Sequence, residues 1–359
     1  MRHYGIAGAG LTGSVIGRVL AEAGHKVTIY DERNHVAGNC HTERRHGIMV
    51  HAYGPHIFHT DNAQVWAYVN RFATMRDVKL KVIAQVGAQH YSFPINLLTM
   101  CQVYKKSLTP DEARAMIVDK TIADPQNFEQ AAIKSVGKTL YCKFFKGYTQ
   151  KQWGRRPSTL PASIFKRLPV RFTHDDNYFY HRWQGVPEEG YTAMVERILD
   201  HPNITLHLST SFDRLRQYDH VVWTGTIDSF FDYEAGALAY RTLTFEHHIT
   251  DGDYQGCHQV NFCDAHIPYT RRVEHKHFAP WELHDNTIVT SEISSEWQVG
   301  DIPYYPIRLA EDQQMLKEYM RLAHSVPNVT FAGRLGTYRY MDMDVTIAEA
   351  LKTAQQINQ

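Results

Sequence analysis

Three glycines near the start of the chain have the spacing of a dinucleotide-binding loop, Gly8-x-Gly10-x-x-Gly13, and an acidic residue, Asp31, follows them. In such a loop the first glycine makes a tight turn, the second lets the backbone approach a pyrophosphate, and the third lets helix and strand pack closely. The acidic residue accepts a hydrogen bond from a ribose hydroxyl. We therefore predict dinucleotide binding, with contacts from Gly8, Gly10, Leu11, Thr12, Gly13 and Asp31.

This chemistry requires a strand, a helix and a second strand around the loop. The sequence predicts a buried strand over residues 4–7, a helix over residues 11–23 and an apolar strand over residues 26–30 that ends on Asp31. The helix then directs its unpaired N–H groups and the positive end of its dipole at the phosphates. All parts of the fingerprint are thus in register.

The residues after Asp31 favour FAD over NAD. They form a polar loop that contains Glu32, Arg33, Gly38 and Asn39, and a second glycine-containing loop covers residues 53–60. A larger cofactor needs close backbone approach along this second half of the domain. We therefore expect FAD to be the cofactor.

Composition excludes several classes of function. The 359 residues contain 38 basic and 38 acidic side chains, so no net charge recruits nucleic acid or an anionic membrane. No apolar run has the length of a membrane span, and we expect no signal peptide because a strand is predicted within the first residues. The five scattered cysteines predict reduced thiols in a cytoplasmic protein. The 22 histidines include no metal-binding motif, so we expect no metal.

The pattern of helices and strands predicts an α/β protein. We expect a discontinuous Rossmann-type FAD-binding domain, a helical insertion domain and an antiparallel β-sheet substrate domain. Residues Thr109 and Pro110 predict the start of one of the inserted helices. The expected domain bounds are 1–75, 192–228 and 322–359 for the FAD-binding domain, 97–163 for the helical domain, and 76–96, 164–191 and 229–321 for the sheet domain.

Several longer motifs, in order along the chain, resemble the bacterial UDP-galactopyranose mutase family. The resemblance covers essentially the whole chain and is far more specific than the glycine loop. Its motifs are Arg33-Asn34-His35, the loop at 53–60, GYTQKQWG at 147–154, KRLPVRF at 166–172, PYTR at 268–271 with EHKHF at 274–278, PYYP at 303–306, GRL at 333–335 and YMDM at 340–343.

The resemblance implies an isomerase that converts UDP-galactopyranose to UDP-galactofuranose. In the family, the N5 atom of reduced FAD forms a covalent adduct with the sugar and displaces the nucleotide diphosphate, although no net redox change occurs. The resemblance also implies a UDP-hexose substrate, a homodimer and a role in building cell-surface polysaccharides.

Roles for individual residues follow from matching these motifs. A diphosphate leaving group favours the forked donors of arginine over lysine. Arg167 and Arg271 match the diphosphate clamps, and His56 is expected near flavin N5. The implied substrate contacts are Phe144, Phe145, Tyr148, Trp153, Tyr178, Asn96, Arg241, Tyr305 and Tyr340. The implied flavin contacts, beyond the glycine loop, are Asp31, Glu32, Arg33, Gly38, Asn39, His56, Ile57, Arg334, Asp342 and Met343.

Three other functions stay open. A mutase of the same mechanism could act on another nucleotide sugar, such as UDP-N-acetylgalactosamine. An oxidoreductase of the amine-oxidase type shares the FAD fold, but it has no use for two arginines among tyrosines. A non-catalytic nucleotide-sugar binding module would lack flavin absorbance.

Overall fold

A computed structural model describes residues 1–118, 121–167, 169–213 and 216–359, without the side chains of Lys166, Arg167, Ala310 and Glu311. The predicted clamp side chain of Arg167 therefore lies outside the described residues. The strands are β1 (His3–Ala7), β2 (Lys26–Tyr30), β3 (Thr42–Arg45), β4 (Ile48–His51), β5 (Phe58–Thr60), β6 (Met75–Asp77), β7 (Val82–Val86), β8 (Gln89–Phe93), β9 (Trp183–Pro187), β10 (Ile204–His207), β11 (His220–Trp223), β12 (Tyr240–Asp251), β13 (Gln259–Phe262), β14 (Arg271–Glu274), β15 (Asn286–Glu296), β16 (Tyr305–Pro306) and β17 (Val329–Phe331).

The α-helices are α1 (Leu11–Glu22), α2 (Ala63–Asn70), α3 (Leu97–Tyr104), α4 (Pro110–Ile117), α5 (Phe128–Leu140), α6 (Lys146–Trp153), α7 (Tyr191–Leu199), α8 (Ile227–Phe230), α9 (Ala310–Ser325), α10 (Gly333–Gly336) and α11 (Met343–Ile357). A π-helical turn, Tyr141–Phe145, joins α5 to α6.

A five-stranded parallel sheet carries the glycine loop. Its order is β10-β2-β1-β11-β17, and all its neighbours are parallel. These strands come from the beginning, the middle and the end of the chain, so the predicted discontinuous Rossmann-type domain is confirmed. The buried face of α1 packs against β2 and α11.

A second, seven-stranded sheet has the order β16-β12-β15-β14-β13-β7-β8. Its neighbours are antiparallel except for β13 and β7, which are parallel. The hairpin of β7 and β8 therefore joins β13, in which Gln259 pairs with Val82 from 177 residues earlier in the chain, as the expected sheet domain requires.

The helical region between the two sheets starts as the sequence predicts. Thr109 caps α4 by accepting from the Glu112 N–H, the Glu112 carboxylate accepts from the Thr109 N–H, and Pro110 is the first helical residue. Asn62 caps α2 by accepting from the N–H groups of Gln64 and Val65, and the preceding Asp61 does not cap the helix. Asp61 instead accepts from the Arg182 N–H at 2.6 Å.

Four of the expected domain bounds fall inside the strands and helices given above: 75/76 in β6, 191/192 in α7, 228/229 in α8 and 321/322 in α9. In addition, β9 pairs with β5 and β6 in a small separate sheet. Because α9 packs as one unit against Leu238 and Tyr240, any domain limit must lie outside that helix. The other bounds remain predictions.

Candidate active site

A cavity of about 680 Å³ opens at the carboxyl ends of β1, β2 and β11, where parallel sheets bind their ligands. Most predicted cofactor contacts line this cavity: Gly8, Gly10, Leu11, Thr12, Asp31, Glu32, Arg33, Gly38, Asn39, His56, Arg334 and Met343. Gly13, Ile57 and Asp342 do not line it, although all three lie in the segments that form its walls.

At two of the three glycines of the loop there is no room for a side chain. Gly8 has φ of +103°, and a Cβ there would lie 2.2 Å from the Thr224 hydroxyl oxygen. A Cβ on Gly13 would lie 2.0 Å from the Gly8 carbonyl oxygen. Gly10 differs, because its Cβ would meet only the Gly38 Cα, at 3.8 Å. Gly8 and Gly13 thus serve the fold, whereas Gly10 and Gly38 leave a backbone-lined surface open to a ligand.

Asp31 holds the loop as well as facing the cavity. One carboxylate oxygen accepts from the Ala9 N–H at 2.8 Å, and the other accepts from the Arg33 N–H at 2.9 Å. Each oxygen keeps a further lone pair, so the predicted ribose contact is still possible. Glu32, beside it, accepts from Ser211 at 3.1 Å.

Arg33 offers a donor that the protein does not satisfy. Its Nη2 donates to Asn39 Oδ1 at 2.8 Å, and its guanidinium lies 4.6 Å from the centre of the Tyr53 ring. The Nη1 atom is buried and has no hydrogen-bond partner in the protein. A buried, unpaired cationic donor on a cavity wall suits an anionic ligand such as a pyrophosphate.

His56 is neutral and held in one tautomer. Burial lowers its pKa to about 4, and the charges of Arg334 and Arg271 add to this effect. Its Nδ1 donates to the Gly54 carbonyl at 2.8 Å, which leaves the lone pair on Nε2. His56 therefore presents an acceptor, not a cation.

A cluster of aromatic rings and arginines continues from the cavity. Arg334, on the cavity wall, lies 6.0 Å from the Tyr305 ring centre and 5.2 Å from that of Tyr340. Tyr305 in turn lies 6.5 Å from Trp153 and 6.2 Å from Tyr340. The structure thus brings together four residues that come from four separate sequence motifs.

Arg271 and Tyr148 complete this cluster. Arg271 is paired with Glu292, at 2.8 Å from Nε and 2.7 Å from Nη2 to the same carboxylate oxygen. Burial raises the pKa of Tyr305 to about 12, against the opposing charge of Arg271. Burial also raises the pKa of Tyr148, which faces Arg271, Glu292, Tyr178 and Tyr305. At neutral pH these phenols are protonated and can donate to phosphate oxygens.

Four predicted substrate contacts have other roles in this structure. Asn96 is fully buried and caps α3 through the Thr99 N–H. Phe144 and Phe145 are only 2% and 3% exposed, and their rings pack against Tyr91, Phe93 and Phe165. Arg241 donates to the carbonyls of Lys151 and Gln152 at the carboxyl end of α6. These four side chains make their contacts within the protein, and their roles as substrate contacts stay predictions.

Arg241→Ala should mainly cost stability. It removes the cation that satisfies two helix carbonyls and Ser294, so we expect the free energy of unfolding to fall by roughly 3 kcal/mol. Urea unfolding followed by circular dichroism measures this. Arg155→Ala is the matched control, because that guanidinium pairs with the exposed Glu296 and should change stability by less than about 1 kcal/mol. Equal effects in the two variants would contradict a structural role for Arg241.

Sequence reasoning missed several residues of the site. Tyr53, Thr210, Phe212, Thr224 and Tyr233 line the cavity, and Glu292 pairs with Arg271. Of these, only Tyr53 lies in one of the motifs quoted from the sequence. Glu292 lies on β15 and the rest on loops, and the position of each depends on tertiary packing.

Asp253, Glu274 and His277 are the one group of possible ligands, among the described residues, whose ligand atoms all lie within 4.8 Å of one another. His277 bonds to Asp253 at 2.8 Å, and the Glu274 carboxylate raises the pKa of His277. Glu274 also accepts the N–H groups of Tyr254 and Gln255. His277 thus already provides a hydrogen-bond partner for the carboxylates of this cluster, and we propose no metal there.

All five cysteines are free thiols. Within the described part of the chain, none of the helices combines the length and apolarity needed to cross a bilayer.

Comparison with known proteins points to one family. The sequence model of the UDP-galactopyranose mutase family matches residues 143–340, and that of an NAD(P)-binding Rossmann-like domain matches residues 6–72. A probable UDP-galactopyranose mutase of Klebsiella pneumoniae is 53% identical over 98% of this chain and 93% of its own length. A dTDP-fucopyranose mutase of Escherichia coli is 49% identical over 98% of this chain and 97% of its own.

Among solved structures, reduced UDP-galactopyranose mutase shares the fold, with a TM-score of 0.80 at 14% identity over 99% of this chain and 95% of that one. The matched family model includes the segments that carry Tyr148, Trp153, Arg271 and Tyr305. The chain belongs to the UDP-galactopyranose mutase family.

Proposed function

We propose that this protein converts UDP-galactopyranose to UDP-galactofuranose and that it uses bound FAD in its reduced form. The observation that carries this proposal is the position of Arg334. Its guanidinium lines the dinucleotide cavity and also lies over the rings of Tyr305 and Tyr340, in the cluster that contains Arg271. A cofactor in the cavity and a nucleotide sugar in the cluster would therefore meet at this point.

Three features of the cavity support FAD. The facing glycines, Gly10 and Gly38, leave room for a pyrophosphate against the backbone. The unpaired Nη1 of Arg33 offers it a charged donor. The lining extends from the glycine loop to His56, Arg334 and Met343, as a cofactor with a second half beyond the pyrophosphate requires. When bound, reduced FAD supplies a nucleophile for the anomeric carbon of the sugar.

The residues around that point would bind the diphosphate leaving group and neutralise its negative charge. Arg271 would bind the diphosphate with its forked donors, and the hydroxyls of Tyr305 and Tyr340 would donate to phosphate oxygens. Because Glu292 already balances the charge of Arg271, the second clamp, Arg167, would supply the net positive charge. The rings of Tyr148, Trp153 and Tyr178 would cover the uridine and the sugar. His56, neutral and oriented by Gly54, would accept a hydrogen bond at Nε2.

A second candidate is conversion of dTDP-fucopyranose. The relative that carries this name is nearly as similar to the chain as the UDP-galactopyranose mutase of Klebsiella pneumoniae, at 49% against 53% identity. The two substrates differ at the hydroxyl on carbon 6, at the base and at the ribose. Incubation of the reduced protein with each substrate, followed by separation of pyranose and furanose forms, decides between them.

We also propose a homodimer in the cytoplasm, and light scattering of the purified protein tests the dimer.

Gly10→Ala should prevent FAD binding without unfolding the protein. The added methyl group meets only an ordinary contact with Gly38, so the fold tolerates it, but the group projects where the pyrophosphate must approach. We expect the purified variant to lose most of its flavin absorbance. Gly87→Ala, in the turn of the β7–β8 hairpin, is the control: no atom lies within 4 Å of the added group, but the φ of +58° makes alanine unfavourable there, so it shows whether a loss of stability alone releases the flavin. Full flavin content in Gly10→Ala would rule out this cofactor position.

A further inference from the structure

Glu292 has one carboxylate oxygen that the protein leaves without a partner. The side chain is 1% exposed, and Oε2 accepts from both Nε and Nη2 of Arg271. The other oxygen, Oε1, is buried and has no hydrogen-bond partner. Among the described residues it is the only buried carboxylate oxygen in this situation. Leaving such an acceptor unpaired is costly, so a donor from outside the chain is expected to reach it.

The surroundings of Glu292 place this oxygen at the site. A Cβ on Gly54 would lie 3.2 Å from Glu292 Oε2 and 3.5 Å from Arg271 Nη2. Gly54 is also the residue whose carbonyl orients His56 on the cavity wall. The charge of Glu292 adds to the effect of burial in raising the pKa of Tyr148 and of Tyr305. The carboxylate thus lies between the cofactor cavity and the aromatic cluster.

We propose that Glu292 Oε1 accepts a hydrogen bond from a hydroxyl of the hexose, which makes Glu292 a substrate-binding residue that contributes to sugar specificity. This inference rests on the proposed function. A diphosphate has no donor for a carboxylate at neutral pH and is repelled by it. The sugar must lie beside the cofactor to react, and the Gly54 contact puts Glu292 on that side. Arg271 donates to Oε2 alone, so the ion pair does not explain why Oε1 is buried without a partner.

The test combines Glu292→Gln with a set of UDP-galactose analogues that each lack one hydroxyl. Dissociation constants are measured by calorimetry on the flavin-loaded protein. In the wild type, one analogue should bind roughly ten- to a hundredfold more weakly than UDP-galactose. In Glu292→Gln, UDP-galactose itself should weaken by a similar factor, and the missing hydroxyl should then make little further difference.

The affinity for UDP, which has no sugar, separates a sugar contact from a purely structural role. If Glu292 only positioned Arg271, its replacement would also weaken UDP binding. The amide oxygen of Gln can still accept from Arg271, and loss of the opposing charge leaves the arginine free to bind phosphate. UDP affinity should therefore stay the same or rise. Glu296→Gln, on the same strand but exposed and paired with Arg155, should leave every constant unchanged.

Two results would overturn the inference. One is a parallel loss of UDP affinity in Glu292→Gln, as expected if the carboxylate only positions Arg271 or binds the base. The other is an equal penalty for all analogues in wild type and variant. Glu292→Asp, which keeps the charge on a shorter side chain, replaces the Gln variant if that one does not fold. Because these are binding constants, absence of turnover would refute the proposed function without deciding this inference.

Discussion

Replacement of Arg271 by methionine is expected to abolish turnover while the flavin stays bound. Arg271 lies within the aromatic cluster, and its forked donors suit the diphosphate, which must leave the sugar and later return to it. Loss of such a donor at developing charge lowers kcat by about 10³-fold. Chromatographic assay of ring forms measures turnover, and flavin absorbance after gel filtration measures retention. We expect the same outcome for Arg167→Ala.

The result of Arg271→Met alone has a second explanation, because in that variant the buried Glu292 loses its partner. An unpaired buried carboxylate costs about 3 to 5 kcal/mol, so Arg271→Met alone could lose activity by unfolding. The double variant Arg271→Met with Glu292→Gln removes both charges and should recover most of the stability but none of the activity. Recovery of turnover in the stable double variant would show that Arg271 does not act on the substrate.

The second large effect concerns the oxidation state of the flavin. Only the reduced isoalloxazine is electron-rich enough at N5 to be a nucleophile, so the oxidised protein should show no conversion of UDP-galactopyranose and the dithionite-reduced protein should show full conversion. Reoxidation in air should return the protein to the inactive form, which separates this effect from irreversible damage. Equal rates in both states would exclude the reduced cofactor as the reactive group.

The glycine loop was predictable because its requirements are local. At Gly8 and Gly13 the backbone conformation and the contact distances leave no room for a side chain, so the residue types themselves report the turn. The same holds for α4, because Thr109, Pro110 and Glu112 specify where this helix begins. Such features need no knowledge of the rest of the fold.

Pairs formed across the sheet were not predictable in the same way. Arg271 and Glu292 are directly opposite each other on β14 and β15, and no spacing in the sequence gives that register. Arg241 illustrates the converse. The family resemblance implied a substrate contact for Arg241, but packing of α6 on the sheet brings two helix carbonyls to its guanidinium.

Asn96 shows how one residue type supports two interpretations. An amide can bind a base or sugar, but Asn96 followed by Thr99 is also a helix-capping pair, and the structure uses it that way. Phe144 and Phe145 were equally ambiguous, because an aromatic pair can form a binding surface or fill a core. Their rings fill the core around Phe93 and Phe165.

The most direct test of the whole account is the ring form of the product. The dithionite-reduced protein is incubated with UDP-galactopyranose, and the anomeric region is followed by NMR, with oxidised protein as the parallel sample. The account predicts UDP-galactofuranose in the reduced sample alone, at a ratio to the pyranose that does not depend on protein concentration. Absence of any furanose signal in a reduced, flavin-loaded sample, with both UDP-galactopyranose and dTDP-fucopyranose, would contradict it.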